Sequence, residues 1–109
     1  MKQEKYRIKD LPKDQRPREK LLKYGAEKLT DTELLAILLR TGIKGKSAIE
    51  IANEIIKSAG DSFKGLAGKD IEELTKMPGV KNAKIITIAA ALEIARRVSK
   101  QILKDKGII

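Results

Sequence analysis

The chain has 109 residues, a formal net charge of +9, no cysteine and no histidine. Its length predicts one domain with a modest core. The missing residue types exclude a disulfide framework, thiol chemistry and the side chain most used as metal ligand and general base.

The opening stretch MKQEKYRIKD has no apolar core and does not read as a signal peptide. Residues 1–15 are expected to form a basic arm. Pro17 can take the first position of a short helix, PREKLLKY, ended by Gly25. Thr30 with Glu33 reads as a capping box opening DTELLAILLR. That segment is apolar nearly all round, which predicts a central buried helix stopped by Gly42. Ser47 with Glu50 reads as a second box, opening AIEIANEIIKSA. Its apolar stripe is Ala48, Ile51, Ala52, Ile55 and Ala59, and Gly60 is its stop.

DSFKGLAG predicts one helical turn and a connector. Asp70 with Glu73 reads as a third box, opening the short IEELTKM. Pro78-Gly79 turns the chain into a long helix from about Asn82 to about Lys104. Residues 105–109 read as the start of a linker. Strand signals are poor, with no sustained alternation and no Asn-Gly or Asp-Gly hairpin. The only aromatic residues are Tyr6, Tyr24 and Phe63, so the core must be aliphatic. The expectation is an all-α domain over 16–104, a compact bundle of about five helices. No stretch approaches the length of apolar sequence that crosses a membrane, and a cytoplasmic protein is expected.

An offset of 37 residues aligns the sequence with itself. Leu34 falls on Ile71, Ile37 on Leu74, Gly42 on Gly79, Ile43 on Val80 and Lys44 on Lys81. Ala48, Ile51, Ala52 and Ile55 then meet Ile85, Ile88, Ala89 and Leu92. Each copy reads as apolar helix, Gly-apolar-Lys turn, apolar helix. The apolar matches follow from any shared helical period, so the turns carry the information. Two such units, packed about a pseudo-two-fold axis, would place both turns on one side.

RTGIKGKS, at 40–47, ends like a nucleotide-binding P-loop, but the required first glycine position holds Arg40 and the preceding element is a helix. NTP hydrolysis is therefore not expected, nor is a nucleotide cofactor. The turns still have phosphate chemistry. A glycine turn allows close backbone approach, and the following helix offers unpaired N–H groups and its positive dipole end. The first set of candidates is Arg40, Gly42, Lys44, Gly45, Lys46 and Ser47. The second is Gly79, Lys81, Asn82 and Lys84.

MPGV, followed by Ala83-Lys84 and a long helix, resembles the helix–hairpin–helix DNA-binding motif. Lys81 stands at that motif's second glycine and Ile85 at its later small residue; in the first unit these are Lys44 and Ala48. The stretches RPREKLL, LTDTELLAILLRTG and ALEIARR together resemble the N-terminal domain of the DNA repair protein RadC family, from about Ile8 to Val98. The resemblance implies a helical domain of tandem helix–hairpin–helix type. In that family it precedes a JAMM-type metalloprotease-like domain whose zinc is held by histidines and an aspartate. This chain has no histidine, so no residue here inherits that metal site, and a non-catalytic first domain is expected.

Two functions fit. One is non-sequence-specific binding of duplex DNA through backbone phosphates at the two turns. No helix end is rich in Arg, Asn and Gln for base reading, and aromatics for stacking are scarce. The other is a protein-interaction domain that docks the metalloprotease-like domain or another chain, with Ile102-Leu103 and Ile108-Ile109 as exposed apolar contacts.

Overall fold

The computed structural model describes residues 11–109. The first ten positions of the expected basic arm lie outside the described residues. Among the described residues there are six α-helices and no strand. They are α1 (Pro17–Tyr24), α2 (Asp31–Leu39), α3 (Ala48–Ser58), α4 (Phe63–Ala67), α5 (Ile71–Thr75) and α6 (Asn82–Asp105). Short 3-10 turns at Lys13–Gln15 and Ala26–Lys28 flank α1. The chain is a compact all-α bundle, as its composition and periodicity imply. Among the described residues, no helix is long and apolar enough to cross a membrane.

Two of the three expected capping boxes form. The Thr30 hydroxyl accepts from the Glu33 amide at 3.1 Å, and the Glu33 carboxylate accepts from the Thr30 amide at 2.9 Å. Ser47 and Glu50 do the same at 3.1 and 3.3 Å. At Asp70 no side-chain cap forms. There the Glu73 amide bonds the Asp70 carbonyl at 3.1 Å, and the Glu73 carboxylate turns to Lys69 instead. Helix length is not the reason, since the equally short α4 is capped by the Ser62 hydroxyl, which accepts from the Gly65 amide at 3.0 Å.

The core is aliphatic and centres on α3, whose Ile51, Ala52 and Ile55 have no solvent exposure. This is the amphipathic stripe read from the sequence. Leu35, Ala36 and Leu39 of α2 pack onto it, while Leu34, Ile37 and Leu38 remain partly exposed, so α2 is the second layer rather than the centre. Leu66, Leu74, Val80, Ile85 and Ile88 close the other side. Each fully buried Leu or Ile stabilises the fold by about 1.5–3 kcal/mol. Lys20 reaches from α1 to Glu33 of α2 at 3.0 Å and ties the first helix on.

The α2 to α3 connection departs from expectation. Gly42 does not stop α2. The helix ends at Leu39, and Arg40 adopts φ 71°, ψ −51° while the Thr41 amide bonds the Leu39 carbonyl at 2.8 Å. That is a classic-sense γ-turn, a rare and strained conformation for a non-glycine residue. Gly42 has a different task. A Cβ there would lie 2.1 Å from the Lys46 carbonyl oxygen. Its missing side chain lets Ile43 and Lys46 exchange two backbone bonds, of 2.9 and 3.0 Å. Gly45, at φ 86°, occupies the left-handed third position of the resulting turn.

The second turn, Met77 to Val80, closes with the Val80 amide on the Met77 carbonyl at 3.1 Å. It has proline second and left-handed Gly79 third, the type II pattern. The left-handed glycine is thus Gly45 in one turn and Gly79 in the other, not the pair Gly42 and Gly79 that the 37-residue offset aligns. The helices that follow start at Ala48 and Asn82, three residues closer than that offset requires. The turns are therefore not equivalent, and the aligned helix positions also differ, with Ile71 exposed opposite half-buried Leu34.

Two outcomes follow from these geometries. Gly42→Ala lowers unfolding free energy by about 3 kcal/mol, because the added methyl meets backbone, whereas Gly45→Ala has open space and loses only about 1 kcal/mol to its positive φ. Urea titration of both variants checks the ranking. Burial raises the Glu33 pKa, but the Thr30 amide and Lys20 outweigh it and hold the carboxyl below its ordinary value of 4.5. Its contribution is complete above pH 4.5 and is lost as pH falls through the lower folded value. Glu33→Gln should cost about 0.5–1 kcal/mol at neutral pH, and the gap to wild type should shrink below pH 4.5.

Candidate nucleic-acid interface

The two turns meet. A Cβ at Gly79 would lie 2.6 Å from the Ile51 Cδ1 and 3.5 Å from the Ile43 Cδ1. The second turn is therefore seated on α3 and on the tip of the first. Lys84, at the start of α6, reaches back to the end of α2. Its ammonium donates to the Leu39 carbonyl at 3.2 Å, to the Thr41 hydroxyl at 3.3 Å and to the Thr41 carbonyl. Burial pushes its pKa below the ordinary lysine value. Arg40, Thr41, Ala83, Lys84 and Thr87 line the groove between these helix ends.

This packing divides the ten candidates. Gly79 and Ser47 are buried and present no surface to a ligand. Gly42 approaches backbone closely, but the backbone is its own loop at Lys46. Lys46 pairs with Glu54 at 2.7 and 3.0 Å, and Lys84 is spent on the α2 terminus. Arg40, Lys44, Gly45, Lys81 and Asn82 are exposed. The side chains of Arg40, Lys44 and Lys81 make no ion pair or hydrogen bond with the described residues.

The two helix N-termini also differ. At α3 the Ser47 and Glu50 amides are occupied by the capping box, and Glu50 sets a carboxylate at the positive dipole end. At α6 the cap residue is Lys81, with no side-chain cap and no acid in the first turn. Lys81 itself has φ −103°, an ordinary extended conformation that does not call for glycine. Further along α6, Arg96 and Arg97 both close on Glu93 at 2.8 Å. Their hydrogen bonds, Arg96 first, pull the Glu93 pKa down to about 2. The C-terminal arginines are thereby partly neutralised.

Thr41 and Glu54 were not legible as partners. Thr41 meets Lys84 across 43 residues, and Lys46 meets Glu54 across eight, neither a local helical spacing. Glu50 was visible as a cap; its effect on an anion at the same place follows from the same carboxylate.

The family model of the UPF0758 N-terminal region matches residues 8–86. The chain belongs to the UPF0758 family. Within that family, which is the RadC-type N-terminal region the sequence resembles, it is 45% identical to a UPF0758 protein of Geobacillus sp. over 104 residues. That match covers 95% of this chain and 46% of the relative. A UPF0758 protein of Nitrosomonas eutropha is 45% identical over 102 residues, covering 94% of the chain and 45% of the relative. One of Albidiferax ferrireducens is 46% identical over 110 residues, covering 93% and 47%. The chain spans about half the length of the curated relatives it matches. No solved structure matches it.

Lys84→Met keeps the aliphatic stem and removes the ammonium from the α2 carbonyls. Unfolding free energy should fall by roughly 1–2 kcal/mol. Thermal or urea unfolding measures it, and a value indistinguishable from wild type would show that the amine is not a structural tie.

Proposed function

We propose that this UPF0758 domain is a non-catalytic module that binds duplex DNA without sequence specificity, through backbone phosphates at the hairpin end. The observation that carries the reading is the seat of Gly79 on Ile51 and Ile43, which brings together two turns that each carry an exposed lysine, Lys44 and Lys81. Lys81 adds its charge to an uncapped, acid-free helix N-terminus. Arg40 extends the positive surface along the α2–α6 groove. The net charge of +9 supplies long-range attraction to a polyanion. On this reading the second turn is the main phosphate contact. The first contributes Lys44, since its helix is already capped by Glu50.

A second reading rests on α6. Ile94, Val98 and Ile102 are 65%, 52% and 48% exposed at i, i+4 and i+8, a continuous apolar stripe. Such a stripe suits docking of a protein partner, including the metalloprotease-like half that the RadC resemblance implies, without any DNA binding.

The discriminating measurement is duplex DNA titration at two salt concentrations, with Lys44→Glu/Lys81→Glu as the variant. Both positions are exposed and unpaired among the described residues, so the fold should be unaffected. Affinity should fall steeply with salt in the wild type, and the variant should lower the salt slope by about 2, one for each lost phosphate contact. Absence of binding at low salt would favour the docking reading.

A further inference from the structure

The stretch RPREKLL and the arginine that ends LLAILLR come together in space. Arg16, Pro17, Arg18 and Glu19 from the start of α1 and Ala36, Ile37 and Arg40 from the end of α2 line one pocket of about 280 Å³. Its apolar part is Ile37, half-buried, which lies beside the buried Pro17 and Ala36. Three arginines and one glutamate complete the lining. Arg16 is already engaged, its Nε donating to the Leu11 carbonyl at 3.2 Å. The side chains of Arg18 and Arg40 have no ion pair or hydrogen bond to any described residue, and Glu19 forms no ion pair with either.

A guanidinium cannot shed its proton to relieve repulsion. An anion between Arg18 and Arg40 relieves it, and a surface with an apolar part strengthens the attraction by keeping water away. The γ-turn holds Arg40 at this place at a cost in backbone strain, φ 71° for a residue that is not glycine. Two guanidinium forks carried by different segments of the chain, Arg18 on α1 and Arg40 just after α2, suit a tetrahedral dianion better than a planar carboxylate, which presents one bidentate edge. We propose that this pocket binds a phosphate monoester, gripped by Arg18 and Arg40. The site is separate from Lys44 and Lys81, and its occupancy does not depend on duplex binding at the hairpins.

The test is thermal unfolding and arginine Nε–H NMR of the full chain, titrated with inorganic phosphate against chloride at equal ionic strength. A saturable rise in melting temperature is expected, with the Arg18 and Arg40 signals shifting together. Arg18→Gln and Arg40→Gln should weaken phosphate binding roughly tenfold or more. Arg40→Gly should lose the response while melting in chloride no lower than wild type, because glycine accepts the γ-turn. Lys44→Glu/Lys81→Glu should keep the response, which separates this pocket from the hairpin reading. A strand carrying a 5′-phosphate that binds better than its 5′-hydroxyl twin, with the difference lost in Arg18→Gln, assigns the monoester to a nucleic-acid end. Equal binding of the two strands assigns it to a small phosphate. No saturable response in wild type, or an undiminished one in both glutamine variants, overturns the proposal.

Discussion

Ile51 occupies the space that a side chain at residue 79 would need, and Ile43 stands close behind it. The missing Cβ of Gly79 thus sets the distance between the α2–α3 unit and the α5–α6 unit. Gly79 also holds the left-handed conformation that turns the chain after Pro78. One residue therefore satisfies a steric demand and a backbone demand at once, and only glycine satisfies both. With that seat fixed, Lys84 falls within reach of the α2 terminus, and α6 packs Ile85 and Ile88 into the α3 core.

Carboxylates decide which cations face outward. Glu54 takes Lys46, Glu33 takes Lys20, and Glu93 takes both Arg96 and Arg97. Fewer individual cations are therefore free to meet a ligand than the 24 Lys and Arg suggest. Among the described residues, the unpaired cations at the surface around the two turns include Arg40, Lys44, Lys76 and Lys81, with Arg18 on α1. This subset is small, and its placement follows from packing between helices.

The sequence made the local devices legible. Thr30–Glu33 and Ser47–Glu50 are boxes with their partners three residues apart, and Pro17 and Gly25 bracket α1 with standard end signals. The α3 stripe is legible because every member obeys one period. Asp70–Glu73 has the same spacing, but Glu73 is engaged by Lys69 and Asp70 makes no cap bond. Gly42 misled because a glycine after an apolar helix is usually a C-terminal stop, whereas the strain here falls on Arg40. At the site, exposure of Lys44 and Lys81 was compatible with the pattern. The diversion of Lys84 to Thr41, and the placement of Arg18 and Arg40 on one pocket, depend on tertiary placement that no local window encodes.

The Lys84 tie joins residues 43 and 45 positions apart, while the capping boxes join residues three apart. Loop-closure entropy makes the long-range contact the late one. The helices and their caps can form early, each within its own stretch of chain, before Gly79 finds Ile51 and Lys84 finds the α2 carbonyls. The hairpin end, which depends on these long-range contacts, is therefore expected to assemble late. Its positive surface exists only once the chain has finished folding, so an anion held across both turns would act as a brake on unfolding.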